Sequence, residues 1–296
     1  MSVIVNLKQK KGFLKKPVKI EMPFLQSAVY DADMYFGIPN EAYVIDQYEG
    51  GNDIRETLFV FYRKDIYGRG MSFFVDKDYN IELVLNNPAT QRDIESFYKV
   101  IAFCCKQLKL DSFEQEDEII KLNDIESKKN EIIGFNKSLI KGMLKPDLTL
   151  FGAVYPIAIE AEFIESLENM TEDEAYLAYE KYLDEKQKMD CYFAKPSLFN
   201  TSQQGEYIVA RYVLTEDVPS IFPVSPYLPF GYRQELKEKV QEWNVIIAGE
   251  RNGKMQALAQ LSFDELLNML DREKLGKFDA SHYIVKIEKD FVGKLR

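Results

Sequence analysis

Three acidic residues, Asp147, Glu160 and Glu162, have the types and the spacing that metal-assisted chemistry requires. Asp147 follows a proline and precedes a predicted strand, and Glu160 stands at the end of the next apolar run. Two carboxylates that converge at the end of a strand can hold a divalent metal, which activates a water for attack on a phosphodiester. The sequence therefore contains a candidate site for a metal-dependent hydrolase.

This acidic pattern resembles the signature of a large nuclease superfamily but departs from it at one position. In that signature a lysine two residues after the second acidic residue steadies the attacking water. Here the position is Glu162, so the cation is missing. The structural alternative is a buried strand that enters a helix whose acidic first turn suits the helix dipole.

Arg69 stands between two glycines, Gly68 and Gly70, and this triplet is the candidate binding site. Glycines let a backbone approach a partner closely, and a guanidinium group binds carboxylate or phosphate through two hydrogen bonds. The alternative is a turn or bulge in which Arg69 pairs with a local carboxylate.

The remaining residues exclude several familiar chemistries. A single histidine, His282, would have to carry any Ser–His or Cys–His mechanism, and no Gly-x-Ser-x-Gly nucleophile motif is present. Structural zinc usually takes four Cys or His ligands, whereas this chain has three cysteines, two of them adjacent, and one histidine. No Gly-x-Gly-x-x-Gly and no complete phosphate-binding loop is found. The sequence therefore predicts no cofactor.

The charge balance and the cysteine count predict the compartment and the class of partner. A net charge of −10 argues against a nucleic-acid partner. Three cysteines indicate a reducing compartment rather than a disulfide framework. The first apolar run is too short for a signal peptide, and no stretch approaches the roughly 18 apolar residues of a membrane span. We therefore expect a cytoplasmic protein with no membrane contact, which binds a protein partner or a second copy of itself.

Alternation of apolar and polar residues predicts strands in the first third of the chain. Residues 3–7 and 18–22 are expected to form a hairpin around a lysine-rich turn, and residues 57–85 are expected to form an antiparallel meander. Thr90 and Asp93 resemble a capping box, and apolar residues at helical spacing predict that a helix follows.

The middle and the end of the chain differ in character. Residues 114–190 contain an acidic cluster and charged helical patterns, among them a helix that starts at the Thr171 capping box. Near the end, Asn252-Gly253 predicts a hairpin turn, Ser262 caps a helix, and residues 282–287 form the closing strand.

These patterns predict an α+β fold in which antiparallel sheets pack on amphipathic helices. Two α+β units are expected at residues 1–112 and 191–296, with a charged helical middle segment at residues 113–190. Whether the two units share one sheet stays open at this point.

Two further segments are candidate contact surfaces. The lysine-rich turn at residues 8–16 suits a solvated hairpin tip, and its lysines also protect an edge strand from pairing with other chains. Pro223, Pro226 and Pro229 repeat every third residue, which is the polyproline II period. Because large apolar residues lie between these prolines, a packed and stiff connection is favoured, although the segment remains a candidate oligomer surface.

Several short motifs together resemble one bacterial family. They are Met1-Ser-Val-Ile-Val-Asn-Leu-Lys8, the Gly68–Gly70 triplet followed by two short strands, Asn87-Pro-Ala-Thr-Gln-Arg-Asp93, and Asp279-Ala before the closing strand. With them the chain resembles the bacterial domain-of-unknown-function family 4299, over nearly its whole length. The resemblance implies a cytoplasmic bacterial protein and brings no activity, cofactor or site residue.

The lack of nucleophile, zinc-binding and nucleotide-binding motifs in the sequence favours a function without catalysis. We expect a cytoplasmic binding or protein–protein interaction protein whose contact surfaces are the Gly68–Gly70 triplet, the lysine-rich turn and the proline segment. The alternative function is the metal-dependent hydrolase at Asp147, Glu160 and Glu162.

Overall fold

Strands from the first 121 residues pair into one antiparallel sheet in the computed structural model, which describes residues 1–9, 17–201 and 207–293. The strands are β1 Ser2–Leu7, β2 Tyr35–Pro39, β3 Ile45–Asp46, β4 Leu58–Tyr62, β5 Met71–Val75, β6 Ile81–Asn86, β7 Ser112–Gln115 and β8 Glu118–Lys121. Their order across the sheet is β3-β2-β4-β5-β6-β1-β7-β8. The meander predicted for residues 57–85 is confirmed as β4, β5 and β6.

Helices cover one face of this sheet, because alternate side chains of its central strands are apolar and buried. The helices up to residue 188 are α1 Met22–Asp31, α2 Gln91–Leu108, α3 Ile125–Met143, α4 Ala161–Ser166 and α5 Glu172–Gln187. Phe59, Phe73 and Leu83 from the strands are fully buried in one cluster with Phe97 and Ile101 of α2. A short hairpin, β9 Thr149–Phe151 and β10 Pro156–Ala158, lies between α3 and α4 in the chain.

The predicted capping boxes of two helices are confirmed, whereas one predicted strand is wrong. Thr90 and Asp93 form the predicted capping box of α2, and Thr171 caps α5 in the same way. The strand predicted at residues 18–22 is wrong: this segment forms no strand, and α1 begins at Met22. Both edges of β1 are occupied by β6 and β7, so no place beside β1 is left for a returning strand.

The last part of the chain builds two separate four-stranded sheets. Its strands are β11 Tyr192–Phe193, β12 Ser197–Thr201, β13 Tyr207–Thr215, β14 Ser220–Pro223, β15 Val240–Arg251, β16 Lys254–Ser262, β17 Gly276–Lys277 and β18 His282–Val285. Their orders are β11-β14-β18-β17 and β12-β13-β15-β16. The helices are α6 Gln234–Lys239, α7 Phe263–Met269 and α8 Lys289–Gly293. Ser262 caps α7 as predicted, and Asn252-Gly253 closes the β15–β16 hairpin with positive φ at both residues.

Aromatic side chains from both small sheets and from α7 form the core of this part. Tyr212, Phe222 and Phe263 are buried together, with ring centroids 5.0–5.7 Å apart. The proline segment is part of this structure, because Pro223 belongs to β14 and lies opposite His282 of β18. Pro223 and Leu228 are thus packed into the second unit, as favoured from the sequence, whereas Phe230 is exposed.

The chain divides into two compact units. The first consists of Met1–Asn40 and Val44–Lys188, and the second of Glu41–Tyr43 and Met189–Arg296. Each unit has its own sheets, so the strands of the two ends do not share one sheet. Antiparallel pairing predominates and helices alternate irregularly with strands, which makes the fold α+β, as predicted.

Candidate functional site

The Gly68–Gly70 triplet lies buried between β4 and β5, against the start of α2. The backbone N–H groups of Arg69 and Gly70 donate to the two carboxylate oxygens of Asp93 at 2.8 and 3.0 Å. A Cβ atom at Gly68 would lie 2.2 Å from Asp93 Oδ2, so only glycine lets the carboxylate come this close. Asp93 also completes the capping box of α2. The Asp93 carboxylate therefore connects the segment between β4 and β5 to the first turn of α2.

The guanidinium group of Arg69 donates to backbone carbonyl oxygens of its own unit. Its Nη1 donates to Asn87 at 2.8 Å and its Nε donates to Phe151 at 3.1 Å. Burial lowers the pKa of Arg69 and raises the pKa of Asp93, although the N–H groups around the carboxylate oppose the second effect. Arg69 is 8% exposed, so its predicted binding role depends on that small exposed part.

The two motifs that carry the family resemblance meet at this point. Tyr179 and Tyr176 of α5 donate their hydroxyl groups to the carbonyl oxygens of Pro88 and Ala89, at 2.8 and 2.9 Å. Asn136 of α3 accepts the N–H of Ala89 at 2.7 Å. We call this network around Asp93 the buried joint. It ties the sheet to α2, α3 and α5, and it explains why these residue types are needed at these positions.

The predicted acidic residues lie at one end of the β9–β10 hairpin. The N–H of Asp147 donates to the carbonyl oxygen of Ile159 at 2.9 Å, which continues the hairpin and brings Asp147 and Glu160 onto neighbouring segments. Glu162 is exposed in the first turn of α4.

A lysine that the sequence analysis did not consider stands beside the second acid. Lys186 of α5 pairs with the Glu160 carboxylate at 2.8 Å, and the Tyr182 hydroxyl donates to the same carboxylate at 3.2 Å. Within residues 1–9, 17–201 and 207–293, no group of three or more His, Cys, Asp and Glu side chains is placed to hold a metal ion. The described contacts of Glu160 are thus an ion pair and a hydrogen bond.

His282 lies in a buried chain of polar groups formed with Asp279 and Tyr227. Its Nδ1 is 2.9 Å from Asp279 Oδ1, and its Nε2 is 3.0 Å from the Tyr227 hydroxyl. The backbone of Tyr227 is held in turn by the Tyr212 hydroxyl, which donates to its carbonyl oxygen at 2.8 Å. This chain fastens the proline segment to β18, and burial raises the pKa of Tyr227. The sequence signal for it was Asp279 three residues before the histidine.

One exposed feature of the second unit is the free edge of β16. In the four-stranded sheet β16 pairs with β15 on one side and has no strand on the other among the described residues. Its nine residues, Lys-Met-Gln-Ala-Leu-Ala-Gln-Leu-Ser, carry no charge after Lys254 and no proline. Met255 is 59% exposed, and Ala257 and Gln260 are exposed as well. We call this feature the β16 edge.

The hydrogen-bond pattern shows which residues offer backbone groups at the β16 edge. A two-residue turn closes on a hydrogen-bonded pair, here Arg251 and Lys254, and such pairs alternate along an antiparallel ladder. Met255 and Ala257 therefore direct their N–H and C=O groups away from β15.

The same alternation continues on the other side of a β-bulge at residue 258. The carbonyl oxygen of Ala248 in β15 accepts the N–H of Glu216, beside β13, at 2.8 Å. The preceding residue of β15 therefore turns toward β16, where it pairs with Ala259. Gln260 and Ser262 alternate with Ala259 and so point outward. The N–H of Ser262 donates to the Glu265 carboxylate at 2.8 Å in the capping box of α7, so Met255, Ala257 and Gln260 are the three residues of β16 that offer backbone donors and acceptors on the free side.

The turn between β15 and β16 is stabilised by an ion pair. Arg251 donates two hydrogen bonds to the carboxylate of Glu216, at 2.7 and 2.9 Å, and this contact lowers the pKa of Glu216. Sequence reasoning found the hairpin but missed its edge, because the free side of β16 depends on which strands pair with β15.

The fold and these features define an α+β protein of two units, one with a buried joint and one with a free strand edge. The chain belongs to the family described as Domain of unknown function (DUF4299), whose model matches residues 2–295. This confirms the resemblance seen in the sequence motifs. No curated protein and no solved structure matches the chain. Among the helices described here, none combines the length and the apolar character that a membrane span requires.

Proposed function

We propose that this protein is a non-enzymatic interaction protein that binds an extended polypeptide segment along the β16 edge. The observation that carries the proposal is a nine-residue edge strand without a charge beyond Lys254, with backbone groups directed outward. An extended segment that adds to such an edge gains main-chain hydrogen bonds, and its alternate side chains give specificity. Monomeric proteins usually protect an edge of this kind with charge, proline or short length.

The energetics require both backbone and side-chain contacts. A backbone hydrogen bond adds about 1 kcal/mol net, and association costs at least about 4 kcal/mol in lost rigid-body freedom. The outward groups of three residues, Met255, Ala257 and Gln260, therefore roughly offset that cost. The exposed side chain of Met255 supplies apolar surface beside them, at about 25 cal/mol for each Å² removed from water. We expect moderate affinity and reversible binding.

In the same proposal the protein works in the bacterial cytoplasm. Its three cysteines are free thiols, and burial raises the pKa of Cys105 to about 12, which keeps that thiol protonated and unreactive. The net charge of −10 supports solubility and gives no footprint for nucleic acid. These features support a protein partner in a reducing compartment.

Site-specific photo-crosslinking in cells tests the proposal. A photoreactive residue replaces Gln260, which is exposed at the edge, or Gln107, which is exposed on α2 and serves as the control position. We expect covalent adducts from position 260, mapped by mass spectrometry to an extended segment of the captured protein, and none from position 107. The adducts should disappear when Ala257 is also changed to Lys. If position 260 gives no adduct, or gives the same adducts as position 107, the β16 edge is not the binding surface.

A further inference from the structure

We infer that the extended segment is β16 of a second copy of this chain, so that two four-stranded sheets join into one eight-stranded sheet. The inference rests on the proposed function, because it names the partner of the same edge. The two strands run antiparallel about a two-fold axis, which makes the same surface the contact on both copies. Three observations favour this occupant over an unrelated segment.

The first observation is charge. Residues 255–262 contain no charged side chain, so two copies bring no like charges face to face along this stretch. Residues 189–296 hold 15 acidic and 14 basic residues, whereas residues 1–188 hold 33 acidic and 24 basic residues. The part of the chain that meets its copy is therefore nearly neutral, and the acidic excess belongs to the other part. Electrostatic repulsion between copies is small where contact is required.

The second observation is the symmetry of the β16 edge about its bulge. Leu258 and Ala259 both pack on the core of the second unit, although neighbouring residues of a regular strand face opposite sides. The outward-pointing residues directly on either side of this pair are Ala257 and Gln260. Farther out, Met255 also points outward, and the N–H of Ser262 donates to Glu265 in the capping box of α7. Because the bulge lies at the middle of the uncharged stretch, one residue with outward backbone groups stands directly on each side of it.

The third observation is that this symmetry fits one register. When residue 257 of one copy lies opposite residue 260 of the other, residue 255 lies opposite residue 262. The 257–260 pair, which occurs twice about the two-fold axis, joins two residues whose backbone groups point outward, as a hydrogen-bonded pair in an antiparallel ladder requires, whereas the N–H of Ser262 donates to Glu265. Each pair also joins side chains on the same face of the joined sheet. If the bulge lay away from the middle of residues 255–262, outward-pointing residues of the two copies would not lie opposite each other.

Light scattering coupled to size-exclusion chromatography tests the inference on the full chain. The edge variant is Ala257→Lys with Gln260→Lys, and the matched control is Gln107→Lys with Asn130→Lys, which adds the same charge at exposed helix positions. We expect a concentration-dependent dimer for the wild type and the control. We expect at least tenfold weaker self-association for the edge variant, because each lysine then faces a lysine of the other copy. Circular dichroism and thermal unfolding check that the edge variant remains folded.

The outcomes separate the inference from the proposed function. A wild type that stays monomeric at all concentrations overturns the inference. If position 260 then still crosslinks to another protein in cells, the proposed function stands, and if it does not, both fail. A wild-type dimer that the edge variant leaves unchanged places self-association elsewhere and also overturns the inference.

A disulfide test addresses the register in particular. With Cys191 changed to Ser, the pair Ala257→Cys and Gln260→Cys should give a covalent dimer under mild oxidation, and each single substitution should give much less. Equal crosslinking by a single substitution would contradict the register.

Discussion

The large sheet of the first unit and the β15–β16 sheet of the second unit end in different ways. The large sheet ends at β3, which has two residues, and at β8, which has four residues with Glu118 and Lys121 at its ends. Glu118 also pairs with Lys128 of α3 at 3.2 Å. β16 has nine residues, and its only charged residue is at the turn. Natural sheets avoid pairing with other chains by short or charged edge strands. The large sheet has such strands at both of its edges, whereas the β15–β16 sheet does not have one at β16.

A second difference concerns polar groups in the interior. The first unit places the carboxylate of Asp93 and the guanidinium of Arg69 inside, where backbone groups satisfy them. Such a buried joint is costly to break and fixes the position of the elements around it. In the proposed function the first unit is the scaffold and the second unit provides the contact. Substitutions in each unit test this division.

Removal of the Asp93 carboxylate should have the largest effect on stability. Asp93→Ala leaves the backbone N–H groups of Arg69 and Gly70 without an acceptor in a buried place and also destroys the α2 capping box. We expect a loss of about 3 kcal/mol in the free energy of unfolding, measured by urea denaturation.

The matched control for this prediction is Glu265→Ala in the second unit. Glu265 has the same place in the capping box of α7 but is exposed. Water replaces its contacts, so a clearly smaller loss than for Asp93→Ala is expected. Equal losses for the two variants would show that the buried joint adds nothing beyond an ordinary helix cap.

A smaller effect is expected at the turn that carries the β16 edge. Gly253 has φ +74°, and a Cβ atom there would meet no other atom within 4 Å. Gly253→Ala therefore costs only backbone strain, about 1 kcal/mol, and lowers the stability of the hairpin. The control is Gly134→Ala in the helix α3, where the space is equally open and the change should stabilise by about 0.5–1 kcal/mol. Opposite signs in thermal unfolding confirm the turn geometry, and equal signs contradict it.

These elements also show how far the sequence alone reaches. The capping boxes at Thr90, Thr171 and Ser262 and the Asn252-Gly253 turn were predicted because each signal lies within a few neighbouring residues. α1 was missed, and Glu21 at its start makes no side-chain capping bond that would have marked it. Structure of this kind can be predicted from the sequence when the residues that form it lie within a few positions of one another.

The sites depended on long-range pairing, and for that reason the sequence located them less well. Arg69 was predicted as a binding residue, with pairing to a local carboxylate as the alternative. A carboxylate is present, but Asp93 binds backbone N–H groups while the guanidinium binds carbonyl oxygens. The β16 edge exists because β15 pairs with β13 on its other side, in parallel, across a gap of 24 residues in the chain. The sequence of β16 alone does not show which strands lie beside it in the sheet.

The smallest expected effect concerns the acidic residues of the first unit, and it tests the scaffold role most directly. If Asp147 and Glu160 hold a metal, the first unit has chemistry of its own and the division between the units fails. Metal at about 100 times its dissociation constant would stabilise the protein by about 2.7 kcal/mol, a shift of several degrees in Tm. Because Lys186 pairs with Glu160 at 2.8 Å, we expect no shift with millimolar Mg²⁺ or Mn²⁺, in the wild type or in Asp147→Ala. A rise in the wild type that Asp147→Ala abolishes would favour the hydrolase instead, and Lys186→Met, which removes the competing cation, should then increase that rise.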